Sequence, residues 1–284
     1  MMPPISLVVF LLGLIIGSFL NVVIYRYNTG LSVARGRSKC FQCGKTLRWY
    51  ELVPLFSFIV QWGRCRGCQS HIAWQYPAVE LLTGLMFSAV WHLFTNPSSL
   101  FPNPYILVPI YWAIFSLLIV ILVYDLRHKI IPDGPVFAFI GLSLMVTIAR
   151  SIFSPRFNLG TSDWRLFGTD LLAALILFLF FWALWYFSKG RWMGFGDAKL
   201  AVGVGLLLGL GQGMTAIVLA FWSGALVGVV LIIVGKLVAW RRDRRAEGKL
   251  RTGLTMKSEI PFAPFIIFGT AVALFYQLNL TSLF

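Results

Sequence analysis

The sequence predicts an all-α polytopic membrane protein with about eight transmembrane helices and one small loop domain folded around a metal. Three observations predict it. The chain of 284 residues is 58% hydrophobic and only 12% charged, with a mean hydropathy of +0.81; a soluble domain carries about a quarter charged residues. The apolar residues fall in runs close to the ~20 residues that cross a bilayer. Between the first two runs lies a polar stretch holding the chain's four cysteines as two CxxC pairs. The formal charge of +14 would point to nucleic acid in a soluble protein. Here asymmetric placement of Lys and Arg across a membrane accounts for it, and no nucleic-acid partner is expected.

Taken in order, the spans fit at residues 5–25, 77–95, 105–124, 134–152, 166–187, 198–210, 213–240 and 261–280. The first lacks a basic stretch ahead of it and continues to full spanning length, so it is expected to stay as a helix rather than be cleaved as a signal. The sixth is short, and Gly211-Gln212-Gly213 is the expected turn into the seventh. These spans divide the chain into a first helix (1–25), a soluble loop domain (26–76) and a transmembrane core (77–284). The loop domain is too short for a large core, which is where a structural metal is needed. The basic, polar segment 241–257 is expected to be a mobile loop drawn to anionic lipid headgroups. No internal repeat is present.

The basic residues orient the chain. With eight spans the loops alternate sides, and 21 of the 24 Lys and Arg fall on one side. Arg150, Arg156 and Arg165 are the three on the other. The basic side is therefore expected to be the cytoplasm, with both termini outside.

Cys40-Phe41-Gln42-Cys43 and Cys65-Arg66-Gly67-Cys68 supply four thiolates from two tight knuckles, the donor set of a closed tetrahedral zinc site. Gly44 and Gly67 suit the turns. A redox pair is the alternative, but a reducing cytoplasm disfavours disulfides. With four Cys ligands the metal is expected to be structural.

Two acids sit at the edges of apolar runs, where a charge is costly and marks a candidate site. Asp125 closes span three in Tyr124-Asp125. Asp197 opens span six in Gly194-Phe195-Gly196-Asp197-Ala198-Lys199-Leu200. Two spans separate them, so both face the same side. The glycines beside Asp197 leave room for an extended backbone to approach. Two carboxyl groups sharing a proton can hydrolyse an amide, one activating water and the other donating to the carbonyl. The plainer reading makes each a helix cap or an ion-pair partner. Asp133, after Ile131-Pro132, is expected to cap span four. Glu80, one turn into span two, needs a hydrogen-bond partner or a site role. Lys199 is placed to tune Asp197 or meet a headgroup. Asn21, among small residues of span one, is expected to hydrogen-bond to a neighbouring helix. Trp182, Trp185 and Tyr186 read as an interfacial belt. His71, His92 and His128 are scattered and are not expected to bind metal.

These residues together resemble the type IV prepilin peptidases. The resemblance rests on Gly17-Ser18-Phe19-Leu20-Asn21, the two CxxC pairs, Tyr76-Pro77-Ala78-Val79-Glu80-Leu81, the stretch Asp125 to Asp133, Gly194 to Leu200, and Ile260-Pro261-Phe262-Ala263-Pro264-Phe265. It implies an aspartic endopeptidase using Asp125 and Asp197 to cut the basic leader from prepilins and pseudopilins after a glycine, at the cytoplasmic face. It also implies methylation of the new N-terminus from S-adenosylmethionine. Two positions depart from the family. Arg127 stands where many relatives have a second acid, and Ala263 stands where many have Gly. Two other classes compete: a transporter using the acids as a proton or cation relay, and a non-catalytic scaffold. A transporter would place polar residues at the midplane of several spans, whereas these acids lie at span edges.

Overall fold

The computed structural model describes residues 3–95, 104–152, 164–243 and 261–279. The order is α1 (Pro3–Arg26), a 3₁₀ turn (Trp49–Glu51), α2 (Phe56–Val60), α3 (Gln75–Thr95), α4 (Pro104–His128), α5 (Asp133–Ile152), α6 (Trp164–Ser188), α7 (Phe195–Asp243) and α8 (Ala263–Phe275). Two isolated β-bridges, Lys39 with Thr46 and Arg64 with His71, are the extended pairings among the described residues. Helices suit a bilayer because each satisfies its own backbone hydrogen bonds. Six of them are long and apolar enough to cross a membrane, and α8 is apolar but only 13 residues long. The protein is a multi-pass membrane protein. Segment 241–257, expected to meet lipid headgroups, lies mostly outside the described residues.

The chain divides into two compact units. The first comprises Met1–Tyr124 and Gly134–Phe167. In it α1 and α3 meet through small residues. A Cβ on Gly13 would lie 2.7 Å from the Cα of Gly84, and one on Gly17 would lie 2.7 Å from the Cα of Glu80. Helices in lipid gain little from apolar burial against each other, so close backbone approach supplies the packing. Asn21 reinforces it as expected: its amide donates to the Tyr76 carbonyl at 3.2 Å and its oxygen accepts from Gln75 at 3.4 Å. Leu20 and Ile24 of α1, Val79 of α3, and Ile119, Val120 and Val123 of α4 form the core beside this contact. On the opposite side of α1, Leu7, Val8, Leu11, Ile15 and Phe19 are exposed, as a lipid-facing stripe requires.

The second unit comprises Asp125–Asp133 and Gly168–Phe284. Its centre is α7, which is two helices rather than one. Gly209 has φ 71° and ψ −173°, a conformation nearly confined to glycine. A Cβ on Gly213 would lie 3.9 Å from the Cα of Gly205, whereas eight residues of continuous helix span about 12 Å. The chain therefore turns back on itself. The break falls at Gly209, not at Gly211-Gln212-Gly213, which are helical. A tight turn needs one residue in a glycine-only conformation, and several nearby glycines did not reveal which. Gly205 lets the first arm lie against α6, its Cβ position only 2.5 Å from the Cα of Ala174. With α7 counted as two arms and α8 as one, the spans number about eight, as the sequence predicts.

Candidate active site and metal centre

Asp125 lies in the last turn of α4 and is only 4% exposed. Its carboxylate accepts the N–H of Ala263, the first residue of α8. The first N–H groups of a helix have no partner within it and carry the positive end of its dipole, so α8 presents a built-in donor to an acid. Asp125 Oδ2 is buried without a hydrogen-bond partner among the described residues.

Asp197 is the third residue of α7 and is 5% exposed. Its Oδ2 accepts the N–H of Gly194 at 3.2 Å, while its own N–H donates to the Gly194 carbonyl at 3.2 Å. This is half of a capping box, so the plainer reading, a helix cap, holds for one of its two oxygens. The other, Oδ1, is buried and without a partner among the described residues. Buried polar atoms are nearly always paired, and an exception calls for an explanation. Both acids belong to the second unit, and the charge of Asp125 acts directly on Asp197.

The glycine before Asp197 has a different reason from the one expected. A Cβ on Gly196 would meet the Cβ of Ile131 at 2.8 Å. The space is taken by the segment that follows Asp125, not left open for a substrate strand. Gly196 thus lets the two acid-bearing segments touch. Phe195 wedges the start of α7 against α6, its ring centroid 5.2 Å from that of Trp185 and 6.4 Å from that of Phe178. Trp185, expected in an aromatic belt, therefore packs beside the site.

Asp133 opens α5, but its carboxylate is committed elsewhere than to its own helix. Its Oδ1 accepts from Lys199 Nζ at 2.7 Å. The N–H of Gly134 goes instead to the Tyr27 hydroxyl at 3.1 Å. The cap expected of Asp133 is thus supplied in part by a tyrosine. Glu80 is structural: buried, it accepts the N–H of Leu55 at 2.8 Å and the Ser18 hydroxyl. It ties the start of α2 to α1 and α3.

The four cysteine sulfurs lie within 4.8 Å of one another. Cys40 and Cys68 are 3.8 Å apart, and sulfurs about 2.3 Å from a tetrahedral zinc sit about 3.8 Å from each other. Each knuckle closes alike: the Cys40 N–H donates to Lys45 and the Gly44 N–H back to Cys40, and the Cys65 N–H donates to Ser70 and the Gln69 N–H back to Cys65. The left-handed position is Gly44 (φ 69°) in the first knuckle and Gln69 (φ 58°) in the second. Gly67, expected at that turn, serves close approach instead: a Cβ there would lie 3.2 Å from Lys45 and 3.5 Å from Cys43 Sγ. The N–H of Cys43 favours the thiolate of Cys40 and holds it down to about 6. At Cys43 the Lys45 N–H acts the same way, but desolvation and the three neighbouring sulfurs outweigh it and push that thiol up to about 11. Thiols this close cannot all ionise side by side unless a cation joins them, so the residues fit a metal. Beside the cluster, Glu51 is held below the usual carboxylate range by the Arg48 N–H and by Lys45.

Several contributors were not foreseen: Ile131, Phe195, the main chain of Ala263 and the partnership of Lys199 with Asp133. The stretch Ile260 to Phe265 was the signal for Ala263. The others depend on contacts between distant residues.

Two known families match separate stretches of the chain. The Bacterial Peptidase A24 N-terminal domain matches residues 11–94, which hold the four cysteines, and the Type IV leader peptidase family matches residues 112–229, which hold both aspartates. A Bacillus subtilis prepilin leader peptidase/N-methyltransferase is 30% identical over 277 residues, covering 98% of this chain and 96% of its own. A Myxococcus xanthus protein of the same name is 35% identical over 235 residues, covering 81% of this chain but only 64% of its own, just under two thirds. One from Pseudomonas aeruginosa is 27% identical over 297 residues, covering 95% of this chain and 90% of its own. No solved structure matches the chain.

Proposed function

We propose that this chain, which belongs to the type IV leader peptidase family, is an aspartic endopeptidase that removes the basic leader of prepilins and pseudopilins after a glycine. Asp125 and Asp197 are its catalytic pair, and the membrane is the bacterial inner membrane with the pair at the cytoplasmic face. The observation that carries the reading is one oxygen on each acid with no partner among the described residues, Asp125 Oδ2 and Asp197 Oδ1, both buried in one unit. One carboxylate takes a proton from water as the water oxygen attacks the scissile carbonyl carbon. The other carboxyl gives its proton to the carbonyl oxygen. Collapse of the tetrahedral species breaks the C–N bond, with the proton passing to the departing nitrogen. The products are a leader carboxylate and a new N-terminal amine. The N–H groups of Ala263 and Gly194 hold the two acids in place throughout. Prepilins carry an apolar helix after the leader, which fits a site at the end of membrane helices, where water and hydrocarbon meet.

The division 1–25, 26–76 and 77–284 assigns this chemistry to the last segment and metal binding to the second. Cys40, Cys43, Cys65 and Cys68 would hold a structural zinc, which supplies cross-linking of the loop and, being saturated by protein ligands, no water. The relatives' second named activity is N-methylation, drawing on S-adenosylmethionine. The glycine-flanked start of α7 is filled by Asp197 and Ile131 themselves and offers no cradle for a nucleotide, so methylation of the new amine is proposed from the relatives alone. The transporter alternative gains nothing from the family or from the relatives' names.

The test is incubation of the purified full chain in liposomes with a purified prepilin, with and without S-adenosylmethionine, read by mass. Cleavage after the glycine in both conditions, with methylation only when the methyl donor is present, is the expected result. An intact prepilin throughout would refute the peptidase.

A further inference from the structure

We propose that Lys199 and Asp133 form a positioning strap that sets the direction in which Asp197 points. The inference rests on the assignment of Asp125 and Asp197 above. The two acids come from two short stretches, Asp125–Asp133 and the start of α7, and two contacts join them. Gly196 lies on Ile131, and Lys199 Nζ binds Asp133 Oδ1 at 2.7 Å. Helix geometry separates their roles. Successive residues turn by about 100°, so Lys199 projects about 200° around α7 from Asp197, on the far side of the helix axis. A contact there cannot touch the reacting atoms, but it fixes the rotation of the first turn of α7. Gly196 on Ile131 fixes it from a neighbouring side. The Lys199 ammonium also lies 5.2 Å from the centroid of the Phe195 ring, itself wedged between Trp185 and Phe178. The ammonium is thus held from two sides.

Stability alone gives this pair little reason to exist. The Asp133 side chain is 62% exposed and that of Lys199 22%, and ion pairs in such settings add little to folding. Its value lies in where it sits. One of its residues is two positions from Asp197, and the other ends the segment that Asp125 begins. Misplacement of a catalytic group by about 1 Å costs on the order of a hundredfold in rate.

The test measures steady-state cleavage of a purified prepilin by the full chain for Asp133→Asn, Lys199→Gln, the double variant and Lys199→Arg. Asp197→Asn serves as the control for the peptidase assignment. Each single variant is expected to lose about tenfold or more in kcat, with KM nearly unchanged. The double variant is expected to lose no more than either single, because the two act as one unit. Lys199→Arg keeps the charge and is expected to stay near the parent rate. Parent-like kcat in both single variants overturns the strap, as does multiplication of the two losses in the double. A loss in KM that grows with the number of basic residues in the leader also overturns it, assigning Asp133 to substrate contact instead. An active Asp197→Asn control refutes the peptidase assignment itself, a separate outcome.

Discussion

Asp125 and Asp197 each lie within one turn of a helix end, where an acid ordinarily serves as a cap or a surface charge. Asp197 does cap, through Oδ2, and Asp125 does accept a helix-terminal N–H. What sets them apart is the second oxygen of each, buried and without a partner among the described residues. The donor to Asp125 belongs to the main chain of Ala263, which explains why an Ala can replace the Gly common in the family: neither side chain is needed to present an N–H. Ala263→Gly should therefore cleave prepilin within a few-fold of the parent, at a cost of a few tenths to about 1 kcal/mol in stability for a helical glycine. Ala263 is fully buried, so Ala263→Leu should overpack the site and lose cleavage, with a stability cost of about 1–3 kcal/mol. Parallel rate and thermal-melt measurements on the two variants separate the main-chain role from a packing role.

The helices carry their own predictions. Gly209→Ala puts a side chain into a conformation that costs a non-glycine residue about 1–3 kcal/mol, and its Cβ would meet the Asp170 carboxylate at 2.7 Å. Gly211→Ala, in helical backbone, should be close to neutral. A melt in which both behave alike would mean that α7 does not reverse at Gly209. In the other unit, Gly17→Ile would force α1 away from the backbone of Glu80, costing about 1–3 kcal/mol. Because Glu80 holds Leu55, the same change should expose the loop after α1 to added protease. For the loop itself, metal analysis should give about one zinc per chain, and Cys40→Ser should abolish it. Purified protein free of metal would remove zinc from the account. These elements also show what could be learned in advance. The CxxC pairs announce a site because their ligands are close in sequence, and an acid in an apolar run announces itself by its cost. Gly196 on Ile131, and Lys199 on Asp133 at a separation of 66 residues, have no local signature. They follow only once the helices are in place.

At the scale of the whole molecule, charge asymmetry and the span count together predict the topology. Reporter fusions after Lys189 should report the inside of the cell and fusions after Arg150 the outside. The reverse result would place both aspartates on the wrong face for cytoplasmic leaders. The number of spans was legible from hydropathy because each crossing needs about 20 apolar residues. The hairpin within α7 was legible only in outline, because its short first arm and the glycines around it allow more than one turning point. The proposed catalytic unit of Asp125 and Asp197 is tested most directly by prepilin cleavage with Asp125→Asn, Asp197→Asn and the double variant, each checked for unchanged metal content and melting. Each single change is expected to reduce cleavage to background and the double to be no worse, since residues acting as a unit do not lose activity additively. Cleavage near the parent rate by either folded single variant would contradict it.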